Sequence, residues 1–561
     1  MTKNKSVITA IPVLSLLVLG LLFYPSSSSP QGAPVGPQVI SNAVANGPSA
    51  FDVSPPLREM INTPTAAPQS SPALIPVLRP KLQQLMQASP AQAGGGPFQG
   101  LAGPFIGATI GLNFDGVGNN TTNNCPSVAR ATVAPPDTNA AVGDTQVVQW
   151  VNLCYEVFNK ATGARIAGPF AGNNFWLGFK SFCSTSNAGD IIIQWDKANH
   201  VWVASQNVFR PFLTCVAIST TPDATGSYNR YEFPQPGFPD YPKWGLTPSV
   251  YYQTQNDFGT GAAYVGVNVC AYDAVAMRAG KKSPTQICIV DNSNGTLFDD
   301  SMLPADNDTA DAAAITPEVL VGSIDNFPGG DTHVYQYVFT VTSFKKGTAT
   351  LAGVNGSMPI GVPAFKLGCG GFGACIPQPS PGSELLDSLG DRLMYRLARF
   401  VDSSGTQHFL VTHSVNVTHG VAARWYEFRA PSGSTSLSLH QSGHTPDDGE
   451  YRWMGSVAMD KFGNIALGYS RSSAAAGDYP SLYLSGQTAG EPLGTTDAES
   501  LIFQGSGSQF NTGNRWGDYS SIALDGVDGC SFWYTNEYYP ADGSFAWSTR
   551  IAGAIKFSGC P

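Results

Sequence analysis

Short apolar runs with alternating polarity, separated by turn-forming residues, recur along most of the chain. The clearest copy spans residues 515–534 and turns between Asp525 and Gly529, and similar copies span 451–467 and 391–411. In each copy an apolar run stops at an Asp/Gly pair that tolerates turn geometry, and a second apolar run follows. Each copy therefore predicts a β-hairpin, and each has a basic residue near its start.

Turn sites of this kind are spaced with a loose period. They fall at Asp144, Asp196, Asn256, Asp325, Asp402, Asp460 and Asp525. A repeat of about 50–70 residues, each rich in short strands, is typical of a β-propeller with elaborated loops. The pattern predicts an all-β protein with a single β-propeller of seven blades. Six or eight blades stay open, since the Asp325 unit fits the pattern least well.

Two other all-β architectures fit the spacing less well. An array of sandwich domains would need units of about 100 residues, and a β-helix would repeat at a much shorter period.

A strand between Phe105 and Phe114 is expected to complete the last blade, because ring closure removes exposed sheet edges.

The N-terminal region divides into two segments. Lys3 and Lys5 precede an apolar stretch from Val7 to Tyr24, so residues 1–29 are expected to be a signal peptide or an uncleaved signal anchor. Residues 30–104 are rich in Pro, Ser, Ala and Gln and are expected to be a mostly disordered linker. The propeller domain is then expected over 105–561.

Composition narrows the functional classes. Only 12% of residues are charged, there are 61 Gly and 42 Pro residues, and the net charge is -10, which supports an all-β fold and argues against a nucleic-acid partner. We expect a monomer that is secreted or on the cell surface. Contact with a membrane is expected only through an N-terminal anchor.

The ten cysteines favour disulfides, because their number is even and the chain has an export signal. Connectivity does not follow from sequence, so a pairing of consecutive cysteines is a working guess. The pairs would be Cys125 with Cys154, Cys183 with Cys215, Cys270 with Cys288, Cys369 with Cys375, and Cys530 with Cys560.

The basic residues at the hairpin starts are the main candidates for function. In a propeller the first strand of each blade lines the channel, so residues at these starts should converge on one channel mouth. Guanidinium groups bind carboxylates and sulfates through charge-assisted bonds, and aromatic neighbours can stack on sugar rings. The predicted ligand-binding residues are Lys243, Trp244, Arg392, Arg452, Trp453, Arg515, Trp516 and Asp518. The competing interpretation is that the arginines link neighbouring blades and the tryptophans pack in the core.

Catalytic residues are not identified by the sequence. A sialidase would need a three-arginine clamp, a tyrosine nucleophile and carboxyl groups, for which the candidates are Tyr395, Tyr519, Glu427, Glu537 and Asp518. The Asp-box repeat of sialidase blades does not occur. No metal-binding spacing is present, and no cofactor is expected, although residues 291–295 and 306–308 could hold a structural Ca²⁺.

Several long strings resemble a known family. Residues 238–245, 391–398, 424–427, 451–470 and 515–538 are similar to a family of secreted, largely uncharacterised bacterial β-propeller proteins, sometimes loosely called sialidase-like. The resemblance implies export and one continuous propeller domain. It implies no activity and no catalytic residues.

These observations lead to one main hypothesis and two alternatives. The main hypothesis is a secreted β-propeller that binds an anionic extracellular ligand, an acidic glycan or a peptide carboxylate, at an Arg-lined channel mouth. The first alternative is a sialidase-like glycoside hydrolase or a polysaccharide lyase that acts on an acidic glycan. The second alternative is a structural surface or adhesion protein.

Overall fold

The computed structural model describes residues 36–60, 102–105, 107–119, 124–126, 133–260, 264–292, 299–309, 317–324, 331–371 and 373–561. Within these ranges, antiparallel sheets of four principal strands follow one another along the chain, and we number them sheets 1 to 7. In sheets 1 to 6 the principal strands follow one another in sequence as meanders, whereas the last sheet takes its outer strand from the N-terminal part of the chain.

The first three sheets are regular meanders. Sheet 1 consists of Asn139–Val142, Gln146–Val151, Cys154–Asn159 and Arg165–Ala171. Sheet 2 consists of Ile192–Asp196, Val201–Phe209, Phe212–Ser219 and Tyr228–Pro234. Sheet 3 consists of Pro239–Leu246, Val250–Asp257, Gly266–Asp273 and Gln286–Asp291.

The remaining sheets carry the longer insertions. Sheet 4 consists of Asp299–Asn307, Glu318–Ile324, Asp331–Ser343 and Thr348–Ala352, with Pro359–Phe365 also paired to its third strand. Sheet 5 consists of Met394–Val401, Gln407–Asn416, Val421–Ala430 and Ser438–His444. Sheet 6 consists of Tyr451–Met459, Ile465–Ser472, Ser481–Gln487 and Ser500–Phe503. Sheet 7 consists of Ser521–Leu524, Phe532–Tyr538, Ser548–Lys556 and the N-terminal strand Thr109–Asp115.

Helices are short in the part of the chain that is described. The α-helical segments are Leu57–Met60 and Ala274–Arg278, and the 3-10 segments are Gly172–Trp176, Phe182–Ser184 and Gly368–Gly370. Two small pairs of strands complete the fold: Ala374–Ile376 with Leu386–Asp387, and Thr496–Ala498 with Ala102–Phe105.

The first strands of the sheets surround a central channel. Each contacts the first strand of the next sheet, and the first strand of sheet 7 contacts that of sheet 1. In sheets 4 and 5 the contact includes parallel pairing of residues 305–307 with 397–399. A closed ring of radial meanders is a β-propeller, so the prediction of an all-β propeller is confirmed.

Ring closure uses the N-terminal strand, as the sequence predicts. Thr109–Asp115 pairs antiparallel with Ser548–Lys556 and so supplies the outer strand of sheet 7. One sheet therefore joins both ends of the propeller sequence, which leaves the ring without an open seam.

The spaced turn residues mark equivalent positions in most sheets. Asp144, Asp196, Asp402, Asp460 and Asp525 lie at the turn between the first and second strands. The reason is local: Oδ1 of Asp402, for example, accepts hydrogen bonds from the N–H groups of residues 404 and 406 at 2.8 and 3.0 Å. Asn256 instead ends the second strand of sheet 3, and residue 325 lies outside the described residues.

The start of the expected linker differs from the prediction. Val39–Ile40, Val44–Asn46 and Ala50–Val53 pair with the outer strands of sheets 4, 3 and 2 in turn, and Leu57 and Met60 are buried against sheets 1 and 2. This segment is ordered because it covers sheet edges, although it is too poor in large apolar residues to form a core alone. Residues 1–35 and 61–101, which hold the expected signal and most of the expected linker, lie outside the described residues.

All five guessed disulfides are present. They are Cys125–Cys154, Cys183–Cys215, Cys270–Cys288, Cys369–Cys375 and Cys530–Cys560. Cys270 and Cys288 face each other on neighbouring strands of sheet 3. Five disulfides favour an extracytoplasmic protein. Across the described residues, helices long and apolar enough to cross a membrane are absent.

Candidate functional site

In most sheets a residue with left-handed backbone geometry lies shortly before the first strand or near its start. The φ angle is 51° at Asp137, 49° at Asp190, 55° at Tyr241, 54° at Met454 and 58° at Asp518. Non-glycine residues rarely adopt this geometry, which costs about 1 kcal/mol or more. Strain repeated at one end of the channel directs attention to the side chains gathered there.

Local register shifts accompany this geometry. The pairing of the first strand shifts between residues 240 and 243 in sheet 3 and between 453 and 456 in sheet 6. A bulge re-aims the side chains on either side of it. Lys243 follows the bulge of sheet 3 and Arg452 precedes that of sheet 6, so each basic side chain lies beside a bulge.

Three of the four predicted cations lie in one buried group. We call it the entry cluster: Lys243, Arg392 and Arg515 with Asp137, Asp190, Asp240, Asp391, Asp518, Tyr241 and Tyr519. Five carboxyl groups thus accompany three cations, and none of these residues is more than 9% exposed. Arg515 has the largest exposed fraction at 9%, which marks where the cluster comes nearest to solvent.

Lys243 lies among aromatic rings. Its Nζ is 3.4 Å from the ring centroid of Tyr241 and 4.0 Å from that of Tyr519, and it donates a hydrogen bond to the carbonyl oxygen of Pro242 at 3.0 Å. Cation–π contacts stabilise the ammonium form. Burial nevertheless lowers the pKa of Lys243 to about 7, although the carboxyls of Asp137 and Asp190 oppose this shift.

Arg392 is paired within its own segment. Its Nε and Nη2 bind the carboxylate of Asp391 at 3.0 and 2.7 Å, and its Cζ lies 4.5 Å from the ring centroid of Tyr241. Its Nη1 is buried and has no hydrogen-bond partner among the residues that the structure describes. One guanidinium edge is therefore satisfied, and the Nη1 donor is unused.

Arg515 and the remaining carboxyls complete the cluster. Arg515 binds the carboxylate of Asp518. Burial, with the negative charge of Asp518, raises the pKa of Asp137 well above its ordinary value. Burial likewise raises the pKa of Asp190 to about 6, while a hydrogen bond from the N–H of Tyr241 at 3.0 Å opposes the shift. Close to neutral pH the cluster can therefore exchange protons.

Arg452, the fourth predicted cation, lies in a different group. Its guanidinium binds Glu499 at 2.9 and 2.7 Å and Asp448 at 2.7 and 3.0 Å. Arg471 binds the same Glu499 at 2.8 Å. We call these residues, with Glu450, the Arg452 network. The predicted ring of arginines is therefore divided between two sites.

The predicted tryptophans are buried. Trp244, Trp453 and Trp516 are at most 1% exposed, and Trp244 stacks on Tyr272 with ring centroids 5.0 Å apart. The Trp453 and Trp516 rings pack together at 5.8 Å. These indoles fill the space between sheets, as the competing interpretation expects. None of them presents a face on which a sugar could stack.

The sialidase hypothesis fits the geometry poorly. A three-arginine clamp is not formed, because Arg452 lies apart from Arg392 and Arg515. Tyr395 lies near Lys243, with Nζ 5.8 Å from its ring, and Glu537 accepts the N–H of residue 517 at 2.8 Å. Glu427 lies elsewhere, bound to His408 at 2.8 Å.

The predicted calcium segment at 306–308 contains ion pairs instead. Arg396 binds Asp306 at 3.1 Å and Asp308 at 2.5 Å, and Lys197 binds Asp308 at 2.8 Å. Protein cations thus already neutralise these carboxylates, which leaves little reason for Ca²⁺ to bind. Of the other calcium segment, residues 293–295 lie outside the described residues.

Asp137 and Asp190 are functional candidates that the sequence analysis missed. Neither residue has a basic neighbour in sequence, so a pattern of adjacent acidic and basic residues does not identify them. The signal that could have found them is alignment of the residues that enter each first strand, because both residues precede an apolar run at the same repeat position.

Comparisons with known proteins give no family. Neither a family model nor a curated protein matches the chain. Among solved structures, the WD40 domain of SCAP from fission yeast is 10% identical, with a TM-score of 0.31 over 73% of this chain and 82% of that chain. An endo-arabinase from Bacteroides thetaiotaomicron is 9% identical, with a TM-score of 0.25 over 56% and 92%. A GH43 β-1,3-galactosidase with galactodeoxynojirimycin is 10% identical, with a TM-score of 0.28 over 57% and 93%. Similarity this low assigns no function to the chain.

Proposed function

We propose that this protein is a secreted β-propeller that binds a carboxylate-bearing extracellular ligand, an acidic glycan or a peptide terminus, at the entry cluster. The observation that carries the proposal is the convergence of three cations: Lys243 from the first strand of sheet 3, and Arg392 and Arg515 from the segments that lead into sheets 5 and 7. Arg392 adds an unused Nη1 donor beside Tyr241. A carboxylate accepts charge-assisted bonds from such a donor more strongly than a neutral group does.

The internal carboxyls determine when an anion can bind. Asp391 and Asp518 neutralise Arg392 and Arg515, so a fully ionised cluster would repel a ligand carboxylate. Because the pKa values of Asp137 and Asp190 are raised by burial, these groups carry protons at mildly acidic pH. Burial also raises the pKa of Asp240 well above its ordinary value, so this group is protonated as well. The three cations then outnumber the two remaining carboxylates, Asp391 and Asp518, by one, and a ligand carboxylate is accepted.

A glycan array tests the proposal. At low salt and pH 6 the intact protein should prefer carboxylated or sulfated glycans and carboxyl-terminal peptides over neutral glycans. Added salt should weaken that binding. Arg392→Gln should abolish the preference, whereas Arg58→Gln, at an arginine that is 54% exposed on the surface, should preserve it. If the folded protein ignores every acidic ligand, the entry cluster is a structural link between sheets and the proposal fails.

A second candidate is a hydrolase or lyase that acts on an acidic glycan at the same place. The observation in its favour is the proximity of carboxyl groups with raised pKa values to a lysine whose pKa is lowered to about 7. Shifted groups of this kind suit acid–base catalysis. Mass spectrometry of acidic oligosaccharides after incubation distinguishes the two candidates. Cleavage that disappears in Asp190→Asn would favour the enzyme, and intact substrate would favour the binder.

A further inference from the structure

A cleft of about 570 Å³ lies between sheets 7 and 1. It opens at the turns that follow the first strands, which is the end of the sheets opposite the entry cluster. Its size lies within the range of small-molecule sites, about 300–1,000 Å³. Because the cleft lies at this opposite end, it shares no residue with the entry cluster and does not depend on the function proposed there.

One side of the cleft is apolar and contains an indole. Trp533 is packed so closely on Gly553 that a Cβ atom there would lie 2.2 Å from the ring. Leu112 and Ala554 extend this surface. Trp533 is 5% exposed, and its Nε1 donates to no residue in the described ranges. The cleft thus has an apolar side that includes Leu112 and Ala554, together with the largely buried indole of Trp533, whose N–H has no partner in the described ranges.

The opposite rim is polar and nearly neutral. Lys160 Nζ binds Asp525 at 2.7 Å and the carbonyl oxygen of residue 143 at 3.0 Å. Asp528 accepts hydrogen bonds from the N–H groups of residues 530 and 531. With Asp144 and Lys556, the lining holds three carboxylates and two ammonium groups, one net negative charge. An anionic ligand is therefore disfavoured.

We propose that this cleft binds a neutral saccharide of one or two sugar residues. A pyranose has an apolar face that suits the apolar side formed by Leu112 and Ala554, and a ring of hydroxyls that can donate to Asp144 and Asp528. The hydroxyls also supply an acceptor for the indole N–H of Trp533. A neutral polyol satisfies these groups without the repulsion that an acidic sugar would meet.

The test is a titration of the full exported chain with cellobiose, lactose and maltose, followed by saturation-transfer NMR and calorimetry. The matched variants are Thr145→Trp, which places a bulky ring at the exposed rim of the cleft, and Ser403→Trp, which adds the same ring to the exposed first turn of sheet 5. Ala161→Trp obstructs the cleft from its other rim and serves if Thr145→Trp does not fold.

At least one disaccharide should bind the intact protein, and Thr145→Trp should weaken that binding at least tenfold. Ser403→Trp should leave binding within twofold of the intact protein, and Trp533→Phe should weaken it several-fold because the donor is lost. Arg392→Gln should have no effect, which separates this site from the entry cluster. Absence of binding by all three sugars, or binding that survives both obstructing variants, would overturn the proposal.

Discussion

The entry cluster and the Arg452 network each form beside a bulge in a first strand and end in different environments. Lys243 follows the bulge of sheet 3, whereas Arg452 precedes the bulge of sheet 6. Arg452 is held by two carboxylates, one of which, Asp448, is 48% exposed. Lys243 lies among tyrosines and buried carboxyls, with one hydrogen bond to a carbonyl oxygen. The side of the bulge on which a cation lies, and the carboxyls and rings that surround it there, thus determine what it can do.

This difference suggests that the Arg452 network stabilises sheet 6 and that the entry cluster keeps binding capacity. The guanidinium of Arg452 already makes four bonds to carboxylates. That of Arg392 makes two, to a single neighbour in sequence, and keeps an unused donor. A charged group whose hydrogen bonds are all made within the protein contributes to stability. A buried donor without a protein partner can instead bind a ligand.

The largest expected effect is the loss of stability in Arg452→Met. Removal of this side chain leaves Glu499 with Arg471 and the Tyr469 hydroxyl as its partners. It should lower the free energy of unfolding by about 2–4 kcal/mol, a range that allows for the half-exposed Asp448. Denaturant unfolding with intact disulfides measures this change. Arg392→Met, which breaks one pair, should cost about 1–3 kcal/mol. Equal losses in both variants would remove the distinction between the two sites.

A smaller effect is the pH dependence of anion binding. Between pH 8 and pH 5.5 Lys243, with a pKa of about 7, gains a positive charge and Asp190, with a pKa of about 6, loses a negative charge. Both changes favour an anion, so affinity for an oligogalacturonate should rise about tenfold as pH falls, the equivalent of one pKa unit. Burial is the main cause of the lowered pKa of Lys243, and the charges of Asp137, Asp190, Arg392 and Asp518 act on it as well. Affinity that falls with decreasing pH would contradict this electrostatic account.

Sequence reasoning recovered the fold better than the site. The Asp turns and apolar runs predict the propeller because turn chemistry is local, and the closing strand follows from the need to cover sheet edges. The sequence could not predict that Arg392 and Arg452 belong to different sites. Arg452 pairs with Glu499, which is 47 residues away, and the entry cluster contains carboxyls from other sheets. The burial of the three tryptophans could not be predicted, because sequence does not distinguish a buried ring from an exposed one.

A further effect is expected on the pH dependence of stability in Asp190→Asn. The folded-state pKa of Asp190, about 6, lies above the unfolded value, so the folded protein holds a proton that the unfolded chain releases. The resulting contribution to stability is present below about pH 4 and is lost as pH rises towards about 6. Asp190→Asn should remove this loss of stability with rising pH, which melting temperatures measured at pH 4, 5, 6 and 7 can follow. A decline of unchanged steepness in the variant would assign the proton to another group.

The most direct test of the central claim is calorimetric titration of an oligogalacturonate at low salt and pH 6 into Arg392→Met and Arg452→Met, each shown to be folded. If the entry cluster is the anion site, Arg392→Met should lose at least tenfold in affinity, about 1.5–3 kcal/mol for a desolvated charge-assisted bond. Arg452→Met should then bind like the intact protein, although it unfolds more readily. Loss of binding in Arg452→Met with full retention in Arg392→Met would contradict the account.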